Sequence, residues 1–365
     1  MKKNLLMIAG PIRLHPEVLT ALSRQIIGHR SNEFVEVLFQ ILEFAKKIFK
    51  TKNQISILPC SGSGGLEAII TNFMSPNDKI LVCINGHFGE LFKRMMLAHS
   101  LKPIILEKDW GEPINSADVL SILKRNPGIN SVFLVHNETS TGVISDIKEI
   151  SKQIKEFNSE IMIIIDAISS LGGVDIQTDQ WGLDVVVTSS QKALMAPPGL
   201  CLISMSDNAL KRIKYSKFPR YFFDFNLINN RLSKGMTLAT PPVSIIIALK
   251  TALQILLEEG LDSFFNRNLL MRDMVIEEIE SMDLKLFGDR KYASPTVTTV
   301  ELPPSINSQT LRDYIEKNYS VTFAQGLGRI ENESFRIGHM GYIFPNDIVV
   351  AMSALKKSIQ HFRNI

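Results

Sequence analysis

Short apolar runs recur between residues 55 and 205: "ISIL" from 55, "ILVCI" from 80, "PIIL" from 103, "SVFLV" from 131, "IMIII" from 161, "DVVV" from 184 and "LCLIS" from 200. They are continuous rather than alternating, so each predicts a strand buried on both faces. Helix-like stretches separate them. "DIKEISKQIKEF" follows Ser145, and ahead of the first run "NEFVEVLFQILEFAKKIFK" places Phe34, Val37, Leu38, Ile41, Leu42, Ile48 and Phe49 on one face at helical spacing. Strands alternating with helices predict an α/β fold with a mostly parallel sheet covered on both sides. In such a sheet a ligand sits beyond the carboxyl ends of the strands.

The pattern then changes. Residues 205–242 are polar and aromatic and read as a loop-rich excursion, followed by a long helix over 243–259. Beyond it come a helix over 262–282, the strand-like "TVTTVEL", a helix in "SQTLRDYIEKN" and a C-terminal helix from about residue 346. The expected organisation is an N-terminal arm over 1–20, a large domain over 21–260 and a small α+β domain over 261–365.

Composition removes several classes of function. The chain has 365 residues, 45% hydrophobic and 21% charged, with a net charge of +3. No run of Lys or Arg is dense enough for a nucleic-acid or membrane surface. Cys60, Cys83 and Cys201 are far apart and lack metal-ligand spacing, so they read as reduced thiols of a cytoplasmic protein. The apolar start is broken by Gly10, Pro11 and Arg13, which argues against a signal peptide. "VSIIIALKTALQILL" is interrupted by Lys250 and too short to span a bilayer.

Chemistry gathers at the predicted strand ends. The strand before residue 61 runs into "SGSGGLEAII", small residues opening a helix, where backbone N–H groups make an anion cradle. A tight strand-to-helix turn would look the same. "IMIIID" delivers Asp166 at its end, and "VVVTSSQK" delivers Lys192 before the rigid turn "APPGL". An acid and a lysine at two strand ends, with a phosphate cup at a third, suit pyridoxal 5′-phosphate. That cofactor takes a lysine for its Schiff base, a carboxylate at its pyridinium nitrogen and a phosphate site. "NGHFGELF" offers Phe88, or less favourably His87, as a ring to lie over the pyridine.

The stretches "GHRSNEF", "SGSGGLEAII", "VHNETSTGV", "DAISSLGG", "SSQKALMAPPGL", "SPTVTTVELP" and "FRIGHMG" resemble, in order and over nearly the whole chain, the class V aminotransferases of fold type I. The alanine–glyoxylate and serine–pyruvate group is the branch most like it. The resemblance implies a large domain with a mostly parallel seven-stranded sheet and a small C-terminal α+β domain. It implies a ping-pong transaminase in which Lys192 forms the aldimine with pyridoxal phosphate and moves the substrate proton, while Asp166 keeps the pyridine nitrogen protonated. Ser63, Gly64, Gly65 and Gln191 would take the phosphate. Thr139 and Ser169 would hydrogen-bond near the ring, Phe88 would stack on it, and Arg336 would fork the substrate carboxylate. Thr240, in "ATPP", would reach the phosphate of a neighbouring subunit, so a homodimer is implied. The chain also departs from the family: the stacking position is often Trp there and is Phe88 here, and Thr237 stands where relatives have a tyrosine.

The expected reaction takes an amino group from alanine, serine or a similar amino acid to a 2-oxo acid such as glyoxylate or pyruvate. A rival reading is 2-aminoethylphosphonate–pyruvate aminotransfer, with Arg220, Arg231 or Lys234 as the basic wall. A second is a non-catalytic subunit of the same fold; some relatives carry names linking them to a hydrogenase. A cysteine desulfurase would need a mobile cysteine and a histidine before the lysine, where this chain has Gln191. A nicotinamide site is not supported, because the glycines do not follow G-x-G-x-x-G. His15, His29 and His136 read as structural.

Overall fold

A computed structural model describes residues 4–363. The seven apolar runs form one sheet, in the order Gln54–Leu58, Cys201–Met205, Val185–Ser189, Met162–Asp166, Ile129–Val135, Lys79–Ile84 and Ile104–Glu107. Cys201–Met205 runs antiparallel to both of its neighbours, and the remaining pairs are parallel. This is the mostly parallel seven-stranded sheet that the resemblance implies.

The strands read as continuous apolar runs because both faces of the sheet are covered. Along Met162–Asp166, Ile163 and Ile165 join a core with Leu38 and Ile41 of the helix Asn32–Phe49 and Leu249 of the helix Val243–Glu259. Met162 and Ile164 point the other way, into a core with Leu66 and Ile69 of the helix Gly62–Phe73 and Phe92 of the helix His87–Ala98. Each fully buried Ile or Leu contributes about 1.5–3 kcal/mol relative to exposure. A polar substitution on either face would therefore be costly.

A second sheet follows the order Leu5–Met7, Val321–Gln325, Ser334–Gly338, Val297–Glu301 and Lys285–Leu286. It has its own core, in which Met7, Val300, Phe335 and Ile337 meet Leu311 and Ile315 of the helix Ser308–Tyr319 and Leu355 of the helix Pro345–Arg363. Its outer strand comes from the N-terminal arm: Leu5–Met7 pairs in parallel with Val321–Phe323. The helices Val243–Glu259 and Leu261–Ser281 meet at Gly260, whose φ of 85° suits glycine.

The excursion over 205–242 is more ordered than its composition suggests. It holds the helices Asp207–Arg212 and Phe225–Leu232. Asp224 caps the second by accepting the Leu227 N–H at 3.1 Å, and Phe225, Ile228 and Leu232 bury against the sheet. No helix among the described residues is long and apolar enough to cross a membrane.

Candidate active site

One cavity, with about 580 Å³ of empty space, lies at the carboxyl edge of the large sheet. Its lining includes Ser61, Gly62, Ser63, Phe88, Asn137, Thr139, Asp166, Ser169, Gln191 and Lys192. These residues come from the ends of five different strands or from the turns that follow them. Parallel strands put their carboxyl ends on one edge, so residues distant in sequence converge there.

Lys192 stands just past Val185–Ser189 on a turn pinned by Ser190. The Ser190 N–H donates to the Leu200 carbonyl at 2.9 Å. Its hydroxyl donates to the Pro197 carbonyl at 2.5 Å and accepts the Leu200 N–H at 3.2 Å. "APPGL" is thereby tied back onto the strand, and the direction of the lysine is fixed. The Lys192 amine donates to the Ala9 carbonyl of the N-terminal arm. Gly10, with φ +111°, passes so close that a Cβ there would lie 2.6 Å from Lys192 Nζ. Burial, and next the Arg336 charge, push the Lys192 amine down to about 8, with Asp166 opposing.

Asp166 is 4% exposed at the end of its strand and accepts the Ile168 N–H at 2.9 Å. Burial raises its carboxyl to about 7, against that hydrogen bond, with the Glu138 charge raising it and Lys192 lowering it. A buried acid and a buried amine are both held close to neutral pH, each with room for a cationic or electrophilic partner.

The helix Gly62–Phe73 opens on Ser61, whose side chain makes no capping bond, so the first-turn N–H groups stay available to an anion. Ser63 lines the cavity, as do Ser61 and Gly62. Gly64 and Gly65 are placed differently from a cup lining, and their missing side chains make room elsewhere. A Cβ on Gly64 would lie 2.9 Å from Cys60 Cβ, and one on Gly65 would lie 2.2 Å from Cys201 Sγ. Gln191 and Asn137 each hold a buried side-chain oxygen without a partner among the described residues. The uncapped N–H groups of the helix start suit the phosphate of an occupant, and the two unpaired amide oxygens suit N–H or O–H donors on it.

Asn137 donates to Ser169 Oγ at 2.8 Å and to Thr296 Oγ1 at 2.9 Å, which ties the two sheets together beside the cavity. Phe88 reaches the cavity and His87 does not; the two rings meet edge to face at 5.4 Å. Arg336 is buried one layer behind the lining. Its Nε donates to the Gln325 carbonyl at 2.8 Å and its Nη1 to the Thr139 carbonyl at 3.3 Å.

Other candidates lie apart. Thr240 is exposed and outside this cavity. Arg220 is committed to carbonyls of Thr71, Phe218 and Ile213 and to Asp224, while Arg231 and Lys234 are exposed. His136 shares a buried hydrogen bond with Ser170 Oγ at 3.0 Å and is driven down to about 4 by burial. His15 caps a helix by accepting the Glu17 N–H. Ser61, Gly62, Asn137 and Gly10 were not singled out from sequence. The only available signals were the small residues of "CSGSGG", the polar "HNETSTG" and the "AGP" of the arm.

A family model described as "Aminotransferase class-V" matches residues 17–328. The chain is 36% identical to "Soluble hydrogenase, small subunit" of Synechococcus sp. (strain PCC 6716), covering 97% of this chain and 92% of that protein. It is 33% identical to the L-aspartate–glyoxylate aminotransferase of Paracoccus denitrificans (strain Pd 1222), covering 93% and 87%. Among solved structures, pyridoxamine–pyruvate aminotransferase from Mesorhizobium loti superposes with a TM-score of 0.94 at 29% identity, covering 98% of this chain and 92% of that one.

Proposed function

Because the chain belongs to the class V aminotransferases, a family of pyridoxal phosphate transaminases, we propose that it moves the amino group of a small amino acid, alanine, serine or similar, to glyoxylate or pyruvate. The observation that carries the assignment of the site is the meeting of Lys192, Asp166 and the uncapped helix start at Ser61–Ser63 around one cavity.

Pyridoxal phosphate supplies an electron sink for the negative charge left when the substrate Cα loses its proton. The chain's own residues do the rest. Lys192 holds the cofactor through its Nζ and carries the proton; lowering the amine to about 8 leaves roughly a tenth of it unprotonated at pH 7, far more than for an ordinary lysine. Asp166 pairs with the pyridinium N–H, which relieves the cost of a buried carboxylate. Ser63, the first-turn N–H groups of Gly62 to Gly64 and Gln191 hold the phosphate, while Gly65, whose N–H donates to the Ser61 carbonyl at 3.2 Å, serves by letting the helix start sit close to the sheet. Phe88 lies against the ring, Thr139 and Ser169 fix its edge, and Arg336 takes the substrate carboxylate. Thr240 serves the phosphate of a second copy, so we read the enzyme as a homodimer working in the cytoplasm.

The relatives that are amino acid–glyoxylate aminotransferases favour glyoxylate as acceptor. The phosphonate reading is weakened because Arg220, Arg231 and Lys234 are not among the residues lining the cavity. The relative named for a hydrogenase keeps a subunit role in view, but Lys192 and Asp166 are both present and brought together here. The test is to load the purified protein with pyridoxal phosphate and offer alanine, serine, aspartate and 2-aminoethylphosphonate in turn, with glyoxylate or pyruvate as acceptor. Turnover of an α-amino acid supports the reading. Turnover of 2-aminoethylphosphonate alone, or of no donor, rejects it.

A further inference from the structure

Glu138 is fully buried in the short strand Asn137–Glu138 that follows Ile129–Val135, yet no step above uses it. Its two oxygens receive four donors. Oε2 accepts the N–H groups of Phe88 at 3.0 Å and Gly89 at 3.2 Å. Oε1 accepts the Ser140 N–H at 3.1 Å and the Ser140 hydroxyl at 2.5 Å. That hydroxyl in turn accepts the His87 N–H at 3.0 Å. The opening turn of the helix His87–Ala98 is thus capped from the turn at 138–140 rather than by its own N-cap, Gly86, which offers no side chain. Gly86 has an extended φ of 171°, open to any residue. What excludes a side chain there is Glu138: a Cβ would lie 2.3 Å from Glu138 Cγ and 2.6 Å from Ser140 Oγ.

Phe88, held in this way by its own backbone N–H, lines the cavity. On the other side, the carbonyl of Thr139, the next residue, accepts from Arg336. The Glu138 charge also bears on both ends of the site, raising the Asp166 carboxyl and favouring the charged form of Arg336. Burial pushes the Glu138 carboxyl up, against the hydrogen bonds from Ser140, Gly89 and Phe88; three of its four donors are backbone N–H groups, which can only donate and so favour the anion.

We propose that Glu138 is a positioning residue: its carboxylate fixes the Phe88 ring by capping the first turn of the helix that carries it, and fixes Arg336 through the turn at Thr139. The inference rests on the pyridoxal phosphate reading above. It also explains why "NGHFGE" and "HNETSTG" occur together, since each supplies half of one cap.

The test strips the full-length protein of cofactor and retitrates it with pyridoxal phosphate across pH. Glu138→Ala removes the cap and Gly86→Ala displaces it. Each is expected to weaken cofactor binding about tenfold, the factor set by roughly one charge-assisted hydrogen bond, and the double variant to be no worse than either. Glu138→Gln keeps the shape and removes the charge that faces Asp166 and Arg336. The pH at which binding strengthens as Asp166 ionises should then move lower, a shift that a merely structural residue would not cause. Binding by Glu138→Ala within twofold of the parent, additive effects in the double variant, or an unmoved pH transition in Glu138→Gln would overturn the proposal. Should Glu138→Ala fail to fold, Gly86→Ala and Glu138→Gln decide. A parent protein that binds no cofactor would reject the functional reading instead.

Discussion

Gly65 offers a sharp test of how the helix start is seated on the sheet. An alanine there would place its Cβ 2.2 Å from Cys201 Sγ and 3.2 Å from Val187 Cγ2, both belonging to strands of the large sheet. Ordinary contact needs well over 3 Å, so the helix start would have to lift by more than 1 Å or the sulfur would have to turn, and Cys201 is fully buried. Overpacking of this kind costs about 1–3 kcal/mol. The gain of alanine over glycine in a helix returns about 0.5–1 kcal/mol, which leaves a net loss of about 1 kcal/mol at the middle of both ranges and about 2.5 kcal/mol at most. The assay is chemical unfolding of Gly65→Ala in the parent and in a Cys201→Ala background. Without the sulfur, the nearest remaining neighbours to the new Cβ are Val187 Cγ2 at 3.2 Å and Cys201 Cβ at 3.5 Å, and most of the penalty should vanish. The coupling between the two sites should be about 1–2 kcal/mol, within the range seen for contacting residues. An equal penalty in both backgrounds, or none in either, would refute the seating of the helix on Cys201.

Three further outcomes follow from the site. Asp166 has a folded-state carboxyl raised to about 7, so between about pH 4 and 7 the cofactor-free folded chain binds more protons than the unfolded one, and stability falls as pH rises through that window. Asp166→Asn should abolish this slope and raise the thermal midpoint of the cofactor-free protein at neutral pH, while cutting turnover by several orders of magnitude; a lower midpoint would contradict it. Gly10→Ala brings a Cβ against Lys192 Nζ at a φ of +111° and should slow cofactor loading at least several-fold, read by the rate at which the visible band appears. Arg336→Lys loses the Nε and Nη1 pair to Gln325 and Thr139, and should raise KM for the amino acid at least tenfold with a smaller change in kcat, as measured by initial rates.

Much of the large sheet was legible because its strands are covered on both faces, which leaves unbroken apolar runs such as "IMIII" and "DVVV". Asp166 and Lys192 stood out because a charge at the end of such a run conflicts with its burial. Other features left no local trace. Leu5–Met7 is only three residues long and finds its partner Val321–Phe323 at the opposite end of the chain, so no pattern within the arm predicts it. The helix Phe225–Leu232 lay hidden in polar sequence because only one stripe, Phe225, Ile228 and Leu232, is buried. The glycines of "SGSGG" point to a cup, but which of them face it depends on the rotation of the helix. The structure turns Gly62 to the cavity and sets Gly64 and Gly65 against Cys60 and Cys201. Nothing in the sequence marks Glu138 beside Thr139, because its partners, Phe88 and Gly89, lie in the first turn of the helix His87–Ala98, a contact visible only in three dimensions.

In the proposed function Lys192 is the residue that holds the cofactor. Reducing the pyridoxal phosphate-loaded protein with borohydride and mapping the modified peptide by mass spectrometry tests it directly, because reduction makes the carbon–nitrogen bond permanent on whichever lysine carries it. One phosphopyridoxyl group per chain is expected, on Lys192, and none in Lys192→Ala. Attachment to another lysine, or a labelled Lys192→Ala protein, would contradict it.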